Sequence, residues 1–194
     1  MQMFDVSTGK GKICSAAVDL FYKKGYHATG MRELASLLGM TVANLYNFFP
    51  SKEVLLNQVL ERIMTVFIDN VSRAIDLNAD PVTQLTAGIT ASIRFHGENQ
   101  KEALVSDSEL RGLQGEMLNR VLDYRDKFER EFKGILDRGI QSGCFAPVNS
   151  KLTAIAILTM CTQVAYWYRP QGEWTLKDIS QNYCNFVLSG LRPV

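Results

Sequence analysis

The stretch Gly39–Lys52 reads GMTVANLYNFFPSK, and it is an odd sequence for a buried helix. It carries no charge before Lys52, and it sets Asn44, Tyr46 and Asn47 on one short segment that Pro50 then closes. Thr41 suits an N-cap, because its hydroxyl accepts a hydrogen bond from a first-turn amide that the helix leaves unpaired. Val42, Leu45 and Phe49 can turn inward at helical spacing, while Asn44, Tyr46 and Asn47 cannot all follow them. Ser51 is placed to cap the next helix. The stretch therefore predicts a short helix with an apolar anchor and a polar outer face.

Outward from this stretch, helical periodicity continues in both directions. Ile13, Ala16, Ala17, Leu20 and Phe21 form one apolar face of a first helix, which Gly25 ends behind Lys23 and Lys24. The first dozen residues read as a loose polar tail. Thr29 or Gly30 starts a second helix with Met31, Leu34, Ala35 and Leu38 inward, and Gly39 stops it. Behind Ser51 a long helix runs to about Leu77, with Val54, Leu55, Val59, Ile63, Phe67 and Val71 in series. Further helices are expected at 81–96, 100–112, 115–141, 150–168 and 175–190. Nothing reads as a strand, so the fold class is all-α. Short capped helices give way to long amphipathic ones inside the fourth helix. That change places a helix-turn-helix domain at 8–55 and a helical bundle at 56–194.

Two short helices joined by a glycine turn, the second offering polar side chains, make a helix-turn-helix. An Asn amide can pair bidentately with adenine in the major groove, which gives Asn44 a chemical role. Tyr46 and Lys52 are better placed for phosphates, which fix register without carrying sequence information. Charge alone does not argue for DNA: Lys10, Lys12, Lys23, Lys24, Arg32 and Lys52 stand against Asp5, Asp19, Glu33 and Glu53, and the whole chain carries +1. On spacing alone, residues 29–50 could equally be a compact helical corner with Tyr46, Phe48 and Phe49 in a core.

Other function classes find little support. His27 and His96 lie far apart and make no metal-ligand pair, no Gly-rich phosphate loop is present, and Ser106–Glu109 lacks a partnered base. No enzyme activity, metal or cofactor is expected. The four cysteines show no CxxC pair and suggest reduced, mostly buried thiols. The run LTAIAILTMCTQVAYWY is too short and too polar to span a membrane comfortably, which points to a cytoplasmic protein.

The segment AAVDLFYKKGYHATGMRELASLLGMTVANLYNFFPSKEVLL resembles the N-terminal domain of the TetR family of transcriptional regulators. The match rests on the LF…GY…T run, the LA…GM helix and turn, and LY.FF.SKE.LL after them. The resemblance implies a three-helix DNA-binding head, with residues 41–47 as recognition helix, on a helical domain that dimerises and binds a small molecule. It implies phosphate contacts for Thr29, Tyr46 and Lys52, and groove-facing positions for Thr41, Val42, Asn44 and Asn47. Gly30 stands where Ser or Thr is common, Val42 and Ala43 replace a frequent Lys-Gly pair, and Asn47 replaces a frequent His. These departures bear on which operator is read. They also leave open an all-α ligand-binding or interaction module that has lost DNA binding.

The same resemblance implies that 150–168 and the last helix form a homodimer interface. SDSELRGL, YRDKFEREFKGILDRGIQSGCF and AYWYRPQGEW are similar to a TetR subgroup that responds to acyl-CoA esters. The inward faces of 81–96, 115–141 and 150–168 are expected to supply Leu85, Ile89, Ile93, Tyr124, Phe128, Ile155, Thr159 and Tyr166. Such a lining suits an elongated apolar effector, although ordinary core packing is the alternative for each aromatic. An acyl-CoA would also need cations for its phosphates. Arg94, Arg111, Arg125 and Arg169 are available, unless acids such as Asp126, Glu109 or Glu173 pair with them.

Overall fold

The computed structural model describes residues 3–113 and 115–193, without the side chains of residues 111, 112 and 117. Among these residues there are nine α-helices, one 3-10 turn and no strand. They gather into two compact units: the chain up to Val66 with Lys101–Leu122, and Phe67–Gln100 with the chain from Asp123 onward. Among the described residues, no helix is long and apolar enough to cross a membrane.

In the first unit, α1 (Gly9–Lys24) starts at Thr8, whose hydroxyl accepts the Gly11 N–H at 3.0 Å. It buries Ile13, Ala17, Leu20 and Phe21, most of the face expected from spacing. Gly25 ends it at φ 79°, a left-handed value that a Cβ would strain. Next come α2 (Met31–Leu37) and α3 (Val42–Phe48), joined through Gly39 at φ 64°. The expected loose tail is corrected here. Met3 and Phe4 are buried, and the Met3 carbonyl accepts the Arg62 Nε–H at 2.8 Å. Two apolar side chains among the polar ones are enough to hold this length of chain down.

Helix α4 (Lys52–Ala74) opens with the Ser51 hydroxyl accepting the Val54 N–H at 3.2 Å. It stops at Ala74, short of the expected Leu77, which is exposed. Its first part buries Leu55, Leu56, Val59, Leu60 and Ile63 in the first unit. The first unit is completed by most of α6 (Gln100–Ser108), a 3-10 turn (Glu109–Gly112) and the start of α7 (Gly115–Gln141).

The second unit is built around α5 (Pro81–Glu98), which packs on both α8 (Ser150–Trp167) and α9 (Leu176–Gly190). Asp80 caps α5 by accepting the Val82 and Thr83 amides, with Pro81 where a missing N–H costs nothing. Small residues let the helices approach. A Cβ on Gly88 would lie 2.8 Å from the Phe132 ring, and one on Gly97 2.2 Å from Leu176. Cys14, Cys161 and Cys184 are buried and Cys144 is exposed, all as free thiols. Burial pushes the Cys14 thiol up to about 11 and raises those of Cys161 and Cys184, so these three behave as small apolar side chains.

Candidate nucleic-acid interface and effector core

Helix α3 is held from below and bare above. Leu45 and Phe49 are fully buried, and Val42 is half-buried. Thr41 caps the helix by accepting the Asn44 N–H at 3.2 Å. The Phe48 ring lies against Gly9, where an added Cβ would come within 2.9 Å of it. Thr41, Asn44, Tyr46 and Asn47 are all exposed, Tyr46 at 45%. The compact corner with Tyr46 in a core is therefore not what forms. Seven residues are too few to be stable alone, so the anchors carry the helix and leave its outer face to chemistry.

The other expected phosphate contacts sit differently. Thr29 is only 4% exposed, and its hydroxyl donates to the Gly25 carbonyl at 2.9 Å. It staples the turn between α1 and α2. Lys52 is half-buried: its ammonium lies 4.1 Å from the centroid of the Tyr26 ring and 3.4 Å from the His27 carbonyl oxygen. Burial lowers its pKa, and the charge of Glu109 works in the opposite direction. Tyr26 in turn packs edge-on against Phe21 at 5.5 Å and donates its backbone N–H to the Glu109 carboxylate at 3.2 Å. No periodicity could have linked Glu109 to this turn. On α1 and α2, Lys10, Lys12, Lys23 and Arg32 are exposed, while Lys24 pairs with Glu33 across the two helices. That pair is largely exposed and contributes little.

In the second unit, Leu85, Ile89, Ile93 and Phe128 are buried as expected, and Tyr124 is half-buried. The remaining three expected lining residues are corrected. Ile155, Thr159 and Tyr166 lie on the exposed side of α8, together with Leu152. Ala154, Ile157, Cys161, Val164 and Ala165 take the inward side instead. The helix offers two apolar stripes at helical spacing, and spacing alone cannot say which one the core takes.

Spacing placed Phe67 and Phe128 on inward faces, but it gave no sign that they meet Phe95 and His96 at the centre of this core. Phe67 lies 4.9 Å from Phe95, 4.9 Å from His96 and 4.7 Å from Phe128, and Phe128 lies 5.2 Å from Phe132. His96 is buried, with Nδ1 2.8 Å from the Ser92 carbonyl oxygen, which a protonated Nδ1 can donate to. Of the expected phosphate-binding cations, Arg94 pairs with Glu98 at 2.9 Å, and the Arg111 side chain lies outside the described residues. Among the described residues, no group of three or more His, Cys, Asp or Glu side chains could hold a metal ion.

Two family models match this arrangement. Residues 13–59 match the bacterial regulatory proteins of the tetR family, and residues 78–191 match the tetracyclin repressor-like C-terminal domain. The HTH-type transcriptional repressor KstR2 of Mycobacterium tuberculosis is 25% identical over 188 residues, covering 96% of this chain and 94% of that protein. The TetR family regulator PfmR of Thermus thermophilus superposes with a TM-score of 0.85 at 30% identity, over 94% of this chain and all of the other. AibR, solved in complex with isovaleryl coenzyme A and operator DNA, has a TM-score of 0.85 at 26% identity, over 91% and 96% of the two chains. With both its reading head and its helical C-terminal domain accounted for, the chain belongs to the TetR family of ligand-responsive, DNA-binding transcriptional regulators.

Proposed function

We propose that this regulator is a cytoplasmic homodimeric repressor whose two heads, residues 8–55 of each copy, bind a near-palindromic operator. In this proposal residues 56–194 form the ligand-binding and dimerisation domain. The observation that carries the DNA half is the bare polar face of α3 above the buried Leu45 and Phe49. Thr41, Val42, Asn44 and Asn47 read base edges, and Tyr46 and Lys52 contact phosphates. Thr29, with its hydroxyl committed to Gly25, supports the backbone of that contact. Two-fold symmetry of the protein calls for matching half-sites.

The dimer half is supported by the outward side of α8, where Leu152, Ile155 and Tyr166 are exposed at 64%, 39% and 53%, and by Phe186 on α9. Leu152, Ile155 and Phe186 are large apolar side chains exposed to solvent, and a second copy of the same face would cover them. The expected residues Ile155, Thr159 and Tyr166 thus move from ligand lining to subunit contact.

For the effector we propose a small molecule with an apolar arm, an acyl-CoA thioester by chemical class, whose acyl chain lodges near Leu85, Ile89, Ile93, Tyr124 and Phe128. Support comes from the isovaleryl coenzyme A bound by AibR and from the aromatic core around Phe67. By linkage, an effector that binds the DNA-free conformation more tightly must lower operator affinity by the same factor. The experiment is site selection with the purified protein, then release of the selected fragment by short acyl-CoAs, the matching free acids and compact polyaromatic drugs. Release by acyl-CoA ahead of its free acid is expected. Release by compact drugs alone would sink the acyl-CoA assignment.

A further inference from the structure

The Lys52 ammonium does not hang free on its four-carbon stem. It rests on the Tyr26 ring at 4.1 Å and faces the His27 carbonyl oxygen at 3.4 Å, so two consecutive residues of the α1–α2 turn hold it. That turn is itself tied down. Gly25 closes α1 by giving its N–H to Phe21, and the next amide, on Tyr26, has no helical carbonyl to use. It donates to the Glu109 carboxylate at 3.2 Å, from 83 residues further along the chain. Tyr26 is buried, so this amide without an acceptor would be costly. A bond to an ionised carboxylate is also stronger than one between neutral groups. Glu109 opens the 3-10 turn within Lys101–Leu122, a stretch packed into the first unit although the chain on either side of it belongs to the second.

We infer that Glu109 is a positioning residue for the phosphate contact of Lys52: it fixes Tyr26, and Tyr26 with His27 fixes the ammonium. This rests on the reading of Lys52 as a phosphate contact. Without the carboxylate the Tyr26 amide must seek another acceptor, and the turn shifts. The lysine then regains rotamer freedom that binding to a phosphate must remove again. Its charge is unchanged, and its readiness is lost.

The test measures affinity of the full chain for its selected operator and for random DNA across a range of salt. The variants are Lys52→Ala, Glu109→Ala, Glu109→Gln and the Lys52→Ala/Glu109→Ala double. Lys52→Ala is expected to weaken binding to every DNA and to reduce the slope of log K against log salt by about 0.9 per lost contact. Glu109→Ala should weaken binding about three- to tenfold, the range for one lost hydrogen bond, and reduce the slope in the same direction. Glu109→Gln keeps an oxygen for the Tyr26 amide and should stay within about twofold of the parent.

The double variant should bind no worse than Lys52→Ala alone. Glu109→Met keeps the bulk without the oxygen and repeats the test where alanine impairs folding. Three results would overturn the inference: a Glu109→Ala protein that binds as well as the parent or better, losses that add in full in the double variant, or a Glu109→Gln protein as weak as Glu109→Ala. Lys52→Ala with unchanged affinity and slope would instead remove the phosphate reading of Lys52, and this inference with it.

Discussion

Helices α3 and α8 both turn an unfinished face to solvent, and the two faces are chemical opposites. Helix α3 shows amides, a hydroxyl and a phenol, all of which water can satisfy. Helix α8 shows Leu152, Ile155 and Tyr166, whose apolar surface water cannot repay. An exposed amide costs nothing until a partner arrives, so α3 can be bare and still stable. Each exposed aliphatic group on α8 forgoes roughly 25 cal/mol for every Å² left uncovered. The reading face can therefore stand unoccupied between encounters, whereas covering the α8 face would add stability. The proposed functions follow the same division: intermittent contact with DNA, and permanent contact with a second copy.

The most severe way to break the comparison is to remove what holds α3 up. Leu45→Ala, at a fully buried position, should cost about 2–5 kcal/mol and lower the thermal midpoint of the head. A circular-dichroism melt reads this directly. The dimer face should respond next. Ile155→Arg is expected to yield a helical monomer by sedimentation, with operator affinity reduced on the order of a hundredfold as the second head no longer binds intramolecularly. A stable parent monomer at micromolar concentration would defeat the assignment of this face.

A polar face should behave otherwise. Asn44→Ala, on the exposed side of α3, should leave stability within about 0.5 kcal/mol. It should nonetheless erode discrimination at particular base pairs by about 1–3 kcal/mol in a site selection. An unchanged preferred sequence would remove Asn44 as a reader.

The smallest expected effect sharpens the contrast through pH. The cap of α3 is the Thr41 hydroxyl, with nothing to titrate, whereas α9 is capped by Thr175 together with Asp178. Hydrogen bonds from the Thr175 side chain and backbone hold the Asp178 carboxyl below its usual value of 3.8. A depressed carboxylate stabilises the fold above its unfolded pKa, and that contribution is lost as pH falls through the folded value. Melting between about pH 5 and pH 3 should therefore drop less steeply for Asp178→Asn than for the parent protein. Equal slopes would show that the box carries no pH-dependent stability.

The helices and several of their ends were readable because these have a local cause: Thr41 and Ser51 cap, Gly25 and Gly39 terminate, and apolar residues recur at helical spacing. The outer face of α3 was readable for the same reason, since Leu45 and Phe49 leave it no other side to present. The side taken by Ile155, Thr159 and Tyr166 was not readable because α8 is apolar on more than one face, and only the tertiary fold chooses between its stripes. Thr29 looked like a displayed hydroxyl because its commitment to Gly25 depends on how the turn closes. Glu109 carried no signal at all. Its partner is distant in sequence, and a single carboxylate near a helix end is ordinary.

Because Lys101–Leu122 groups with the head, the first unit is built from two separate stretches of chain. A chimera joined between residues 59 and 78, the gap between the two family matches, would take Tyr26 and Lys52 from one parent and position 109 from the other. Exchanging operator specificity between relatives then means transplanting two pieces of chain, or choosing parents that both present a hydrogen-bond acceptor at position 109. Recombination at the obvious seam would separate a lysine from the residue that aims it.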